Sequence, residues 1–373
     1  MRLTDREQQI LQLLRRDPTL PSDAIALALG TTRASVNVHL SNLVKKGAVR
    51  GRGYILNESP SVVVLGGSNL DIKARSTERL QPGTSNPGTG SMSAGGVGRN
   101  IAENLARLGT RTVLVSSVGR DAAGETVLAQ SAAAGVVLDH VHRTDGATGT
   151  YVALLDDDGE LVAAVSDMAA ADELGPDQVD AVRDVIASAA LVVVDGNLPP
   201  AAVDVALERA HLAGVRVIVE PVSGPKAARL VPQLTPKRPL YGITPNRDEL
   251  AALTGLPTRT QRQVERAVAA LHAQGVGLVW VRLAERGSML SERHPDGTTT
   301  RHDLDALPTT VRDVTGAGDS MLAAFCHALL EGNDPAQAAR YGHAAAALTI
   351  ASSQTVRSDL TARLLESTLL ENA

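Results

Sequence analysis

The sequence predicts an α/β body with a mostly parallel sheet, preceded by a small helical head that ends in a hairpin. Three observations predict it. From residue 61 onward, short apolar runs bounded by glycine alternate with longer amphipathic stretches. Two stretches, about 72–94 and 148–165, interrupt that rhythm without a helical pattern. Charge is divided unevenly, with nine basic and four acidic residues in 1–57, but 27 basic and 37 acidic in the rest. Strand–helix alternation covers both faces of a parallel sheet with helices. A basic head on an acidic body points to two jobs.

The chain has 373 residues, enough for two or three domains. At 43% hydrophobic and 21% charged it is neither disordered nor collagen-like. No apolar run reaches the roughly 18 residues of a membrane span. The opening MRLTDREQQI is charged and has no apolar signal core, so a cytoplasmic location is expected. A single cysteine, Cys326, excludes a disulfide framework and reads as a small core residue. Nine scattered histidines show no ligand spacing, and six aromatic residues argue against base-stacking platforms. Trp280 reads as core.

In the head, Thr4 and Glu7 form a capping box before an apolar stripe of Ile10, Leu11, Leu13 and Leu14. Pro18 and Pro21 break the chain, and Ser22 is placed to cap a second helix, Asp23 to Leu29, ended by Gly30. Thr32 caps a third helix, Arg33 to about Lys46, with Val36, Leu40 and Leu43 facing inward. GAVRGRGYIL then reads as two short strands around Gly51 to Gly53. Two helices joined by a short glycine turn fit helix-turn-helix geometry.

The body opens after a linker at Asn57–Pro60. Its predicted strands are Ser61–Gly67, Thr112–Ser116, Leu191–Val194, Val215–Val219, Tyr241–Thr244 and Gly277–Arg282. Predicted helices include Gly98–Leu108, Ala201–Ala213 and Arg262–Gln274, then Gly316–Gly332, Pro335–Ala351 and Ser358–Leu370. TGTYVALLDDDGELVAAV reads as a hairpin turning at Asp-Asp-Gly. Strands outside the main sheet suit a lid over a site.

Four segments carry candidate chemistry. In RDVTGAGDS, a strand is expected to end near Val311, and Gly316, Ala317 and Gly318 open a helix. Small residues there let backbone N–H groups approach an anion at the positive helix end. Asp319, in the first turn, is placed to accept a proton. A tight turn with a dipole-stabilised Asp has the same pattern. SAGGVGRN, from Ser93 to Asn100, lets main chain approach a substrate, or serves a tight helix entry. SNLD, from Ser68 to Asp71, follows the first body strand, where open α/β sheets bind ligands; an Asx turn reads alike. PNRDE places Asn246 and Glu249 on one helix face, the spacing of a capping box too.

Together these segments resemble the ribokinase-like (PfkB) carbohydrate kinases across about 310 residues. The head resembles the winged helix-turn-helix domain of bacterial regulators across about 57 residues. The resemblance implies a winged head over 1–57. It implies a kinase domain over 61–373, with a parallel-rich sheet flanked by helices and a small β lid at about 72–94 and 148–165. It implies Asp319 as catalytic base and Gly316, Ala317 and Gly318 as the anion hole. It implies that Asn69, Asp71, Gly95, Gly96 and Asn100 hold the sugar. Asn246 and Glu249 would organise Mg²⁺ through water, with ATP as donor and Gly287 and Lys226 on the nucleotide side. Asp313 would help hold a monovalent cation such as K⁺. In the head, Arg33, Ser35, Asn37 and His39 would face the major groove and Arg50 and Arg52 the backbone or minor groove, with a homodimer needed for a specific site.

Within that family the residues look closer to pseudouridine kinases. Ser85-Asn86-Pro87-Gly88, Gly95 to Asn100, Thr148-Gly149-Thr150-Tyr151, Ser166-Asp167-Met168 and Pro221-Val222-Ser223 with Lys226 carry that likeness. Asn86, Thr148, Thr150 and Asp167 are the candidates for reading a nucleoside base, and lid or turn chemistry explains them equally. Two departures stand out. The nucleotide-side Thr-x-Gly-x-x-Gly is replaced by Arg282, Leu283, Ala284, Glu285, Arg286 and Gly287, and Glu220 stands where Asp is common. Arg282 either contacts phosphate directly or weakens ATP binding. The expected activity is phosphorylation of a nucleoside 5′-hydroxyl. A regulator whose kinase body only senses a sugar or nucleoside is the alternative, as is a ribokinase- or fructokinase-type sugar kinase.

Overall fold

The computed structural model describes residues 3–50, 55–56 and 61–372, with side chains described for 3–49 and 61–372. Contacts divide the chain into two compact units, Met1–Ser59 and Pro60–Ala373.

The head has helices Asp5–Arg16, Ser22–Ala28 and Arg33–Lys45, and a two-stranded pair, Val49–Arg50 with Ile55–Leu56. The Thr4–Glu7 capping box is present, and Thr32 accepts a hydrogen bond from the Ser35 N–H. Ser22 does not cap: it is the first helical residue, and Pro21 stands at the cap without a side-chain bond. Ile10, Leu14, Ile25, Val36, Leu40 and Leu43 form the core. The buried Glu7 carboxylate binds Lys46 Nζ at 2.7 Å, and that bond holds its pKa below the usual carboxylate value.

The body is built on an eight-stranded sheet. Its spatial order is Thr299–Leu304, Ser288–Arg293, Val276–Arg282, Leu240–Ile243, Val217–Glu220, Leu191–Asp195, Ser61–Leu65, Arg111–Val115. The last six are mutually parallel, and the first two are antiparallel additions at one edge. Alternation along a strand sends successive side chains to opposite faces. Val63 and Leu65 thus join a core under helices that include Pro200–Ala213 and Gln261–Ala273. Val62 and Val64 join another under Val97–Arg107 and Ala317–Leu330. Burial on both faces is why these strands read as continuous apolar runs. Trp280 is fully buried, donates to the Ser288 hydroxyl at 2.9 Å and packs on Phe325; Cys326 is buried beside them.

A separate four-stranded sheet has the order Leu161–Asp167, Gly149–Leu155, Asn69–Ser76, Gly88–Gly95. The expected hairpin at 148–165 and the helix-free stretch 72–94 are joined by parallel pairing of Asn69–Arg75 with Gly149–Leu155. One correction concerns Val311. No strand ends there: the strand closes at Leu304, and Val311 is exposed in an irregular segment. A lone valine near Pro308 cannot continue a ladder. Among the described residues no helix is long and apolar enough to cross a membrane.

Candidate active site

The helix Ala317–Leu330 begins on Gly316, whose φ of +79° is left-handed. A Cβ there would lie 2.1 Å from the Thr355 carbonyl oxygen, so only glycine fits. The helix start borders a cleft of about 680 Å³ at Gly318 and Asp319, while the Ala317 N–H donates to the Val314 carbonyl at 3.3 Å. Asp319 borders that cleft and is 9% exposed. Burial pushes its carboxyl up to about 7, although a hydrogen bond from Asn100 Nδ2 to Oδ2 at 2.7 Å pulls the other way. A carboxylate poised near neutrality suits a general base.

Asn100 is held in turn. Its Oδ1 accepts from Arg99, a residue only 1% exposed whose guanidinium is also paired with Glu103. Glu103 Oε1 accepts from Arg107 Nη2 at 2.6 Å, and Arg107 Nη1 reaches the Ser358 carbonyl at 2.7 Å. A line of charge and amide therefore runs from Asp319 to the end of the helix Val97–Arg107, buried at Asn100 and Arg99 and half-buried at Arg107.

On the sheet side, Asn69 Nδ2 donates to Asp71 Oδ1 at 2.6 Å. Burial raises the Asp71 pKa, and the Asn69 bond and the Arg99 charge oppose it. A Cβ at Gly95 would lie 2.5 Å from the Asp71 carboxylate, and one at Gly96 (φ +95°) 2.4 Å from the Gly67 carbonyl. These glycines let the two chain segments meet. Asn69, Asp71, Gly95, Gly96, Asn100 and Asp319 thus form one cluster.

The cleft's far wall carries Asn246, Glu249, Glu220 and Arg282. Asn246 and Glu249 form a full capping box, with Glu249 Oε2 accepting from the Asn246 N–H at 2.8 Å and Oε1 from Asn246 Nδ2 at 2.7 Å. Arg282 Nη2 donates to Glu220 Oε1 at 2.7 Å and to Glu249 Oε2 at 3.2 Å. Burial pushes Glu249 above its ordinary pKa despite the Arg282 guanidinium.

Other expected residues sit elsewhere. Thr148 is buried, donating to Asp121 Oδ1 at 2.6 Å and accepting from the Gly119 N–H. Asn86 closes its own loop, accepting from the Gln81 N–H at 2.8 Å. Thr150 is paired with Leu70, so it shares that residue's face of the sheet and not the face of Asn69 and Asp71. Asp167 is exposed and accepts from the Ala169 N–H. Asp313 binds Lys73 Nζ at 2.9 Å, a protein ammonium at the place expected for a monovalent cation. Gly287 owes its residue type to the Leu304 carbonyl, 1.9 Å from where a Cβ would sit. Lys226 pairs with Asn197 Oδ1 beside the fully buried Asp195. In the head Arg33 and Asn37 are exposed, while Ser35 and His39 are half-buried. Arg33 pairs with Asp23 at 3.3 Å. Arg52 and the Arg50 side chain lie outside the described residues.

Three groups escaped the sequence reading: Arg99, Asp195 and Asn197. Asp195 accepts from the Gly67 N–H at 2.9 Å and from Asn197, fixing the glycine loop. Asp-Gly-Asn follows the strand Leu191–Asp195, the same carboxyl-end position that made SNLD a candidate.

With this geometry in place, residues 59–362 match the pfkB family carbohydrate kinases. The chain belongs to the PfkB family. Residues 3–50 match a winged helix-turn-helix DNA-binding domain. Over 351 residues the chain is 35% identical to the "Uncharacterized sugar kinase YeiI" of Escherichia coli (strain K12), covering 94% of each. It is 31% identical over 319 residues to the pseudouridine kinase of the same organism, covering 85% of this chain and 99% of that one. The structure of Arabidopsis thaliana ribokinase complexed with ribose and ATP superposes with a TM-score of 0.71 at 29% identity, over 84% of this chain and 99% of that one. This PfkB protein is therefore a sugar or nucleoside kinase with a helix-turn-helix head, an ATP-dependent phosphotransferase that uses a divalent metal. The cleft fits both partners. Helix-start amides and Arg282 suit polyphosphate. Glu249 and Glu220 supply hard oxygen donors, and since both Glu249 oxygens already accept protein bonds, they suit a cation held through water.

Proposed function

We propose that the protein transfers the γ-phosphoryl group of ATP to the 5′-hydroxyl of a nucleoside, with pseudouridine the best substrate. The observation that carries this reading is the position of Asp319, buried with its pKa near 7 between the Asn69–Asp71–Asn100 cluster and the anion-binding helix start. Asp71 and Asn69 present acceptors and donors to ribose hydroxyls. Asp319 takes the 5′-hydroxyl proton as that oxygen forms a bond to the γ-phosphorus. The bond from phosphorus to the bridging oxygen breaks, and ADP leaves. Helix-start amides meet the charge on the transferred group. Bound Mg²⁺ supplies further charge neutralisation on the phosphates. Similarity to pseudouridine kinase supports the choice of nucleoside. The four-stranded sheet serves as the lid that excludes water.

A panel of nucleosides and sugars with Mg-ATP, followed by ADP release and identification of the phosphorylated product, tests this. Pseudouridine should be turned over with the highest kcat/KM; preference for free ribose or fructose would overturn the nucleoside reading. The head supports a second role. Ligand binding in the body would bias DNA affinity, in a homodimer whose two heads read paired half-sites through Arg33, Ser35, Asn37 and His39. Work on ATP and DNA supports a cytoplasmic location. A role for K⁺ at Asp313 is testable by replacing K⁺ with Na⁺.

A further inference from the structure

Arg282 ends the strand Val276–Arg282, and its backbone N–H donates to the Pro245 carbonyl at 2.9 Å. That bond ties the strand end to the loop leading into Asn246. The side chain then crosses the cleft. Its Nη2 is shared between Glu220 and Glu249. Its Nη1 lies on the other side, 2.5 Å from the place a Cβ would occupy on Gly318. Among the described residues Nη1 has no hydrogen-bond acceptor, both carboxylate bonds being made by Nη2. Gly318 has ordinary helical backbone, so the guanidinium and not a left-handed dihedral is what a side chain there would meet first. One end of a fixed fork is anchored by two carboxylates, and the other is a free donor beside the helix-start amides and Asp319.

We propose that Arg282 is a phosphate-binding catalytic residue. It donates from Nη1 to the phosphoryl group held at Gly316–Gly318, and Glu220 and Glu249 serve to hold it there. This deepens the kinase reading and rests on it. An arginine is suited to the task because its rigid planar fork offers carboxylates and phosphate donors on separate nitrogens, whereas an ammonium must serve both from a single atom. The guanidinium keeps its charge at any working pH, and the two carboxylates fix its position. Glu220, one methylene longer than Asp, reaches Arg282 Nη2 while its other oxygen accepts from the Thr244 hydroxyl at 2.6 Å. The triphosphate site therefore carries a built-in cation before any metal enters.

The test is direct binding of ATP and ADP to the full chain by calorimetry, in EDTA and in Mg²⁺, without acceptor. Wild type should bind metal-free ATP measurably. Arg282→Gln should weaken metal-free ATP about tenfold or more and lower kcat about a hundredfold. Since Arg282→Gln leaves two buried carboxylates unpaired, the double variant Glu220→Gln with Arg282→Gln repeats the comparison at the wild type's net charge. Arg282→Lys keeps the ion pair without the fork and should lose several-fold in metal-free ATP affinity. Wild-type metal-free affinity in any folded variant of this set overturns the proposal. A protein that binds ATP through Arg282 yet phosphorylates no nucleoside keeps this inference and loses the substrate reading. Nucleoside turnover with ATP affinity indifferent to Arg282 does the reverse.

Discussion

Asp319 shows how much one residue's surroundings decide. An Asp at a helix start is ordinarily stabilised as an anion, yet burial dominates here and raises its pKa to about 7. As the proposed base, Asp319 works deprotonated, so kcat/KM should rise with pH and level off above about 7. Asn100→Ala removes the hydrogen bond that lowers this pKa, so the acidic limb of the profile should move to higher pH. An unmoved midpoint would show that Asn100 does not tune the base. Asp319→Asn should abolish turnover and leave nucleoside binding largely intact. The same shift has a stability consequence. The folded pKa is raised, so folding favours the protonated form, and stability falls as pH rises from the ordinary 3.8 through about 7. Denaturant unfolding should therefore show Asp319→Asn more stable than wild type at pH 8, by a few kcal/mol in order of magnitude, with the gap narrowing below pH 7. Equal stability at both pH values would argue against a buried charge.

Single elements carry their own strain. Ala284 has φ of +54°, a left-handed backbone that costs a residue with a Cβ about 1–2 kcal/mol. Ala284→Gly should raise the unfolding free energy by about 0.5–1 kcal/mol after the entropy of glycine is counted. Gly316→Ala runs the other way: a methyl 2.1 Å from a carbonyl oxygen should destabilise by about 2–3 kcal/mol and displace the anion site, which thermal melts and activity would register together. Much at this scale was legible in the sequence. The capping boxes at Thr4 and Asn246 are local, so spacing alone reveals them. The strand Ser61–Leu65 was legible because burial on both faces leaves a continuous apolar run. The two antiparallel strands Ser288–Arg293 and Thr299–Leu304 were not, because polar residues such as Ser291, Glu292, Thr300 and His302 hide the pattern. Arg99 was illegible as a site residue too. A buried arginine is paired, and its partners Asn100 and Glu103 mean little until a helix face and the Asp319 loop close around them.

At the scale of the whole molecule, a winged head and an acidic PfkB body share one chain, and the similarity to the E. coli sugar kinase spans 94% of it. The basic head should bind DNA through phosphate contacts, each adding about 0.9 to the slope of log affinity against log salt. Fluorescence anisotropy with the full chain should show that steep dependence; a flat one would leave the head a packing module. On the proposed reading, an acidic body binds polyphosphate through oriented amides, one held arginine and a metal, not through a basic surface.

Local signals determined what the sequence could tell by itself. Caps, glycine turns and apolar periodicity depend on residues a few positions apart. They disclosed the α/β body, the helical head and the residues of the TGAGD segment. Only the tertiary structure decided which of these act together. It brought Asn100 to Asp319 across 219 positions and Arg282 to Glu220 across 62. It committed Thr148 to Asp121 and Asp313 to Lys73. The reason is physical: hydrogen bonds and charge pairs act over a few ångströms, and which groups lie within that reach is set by chain folding rather than by neighbourhood in sequence.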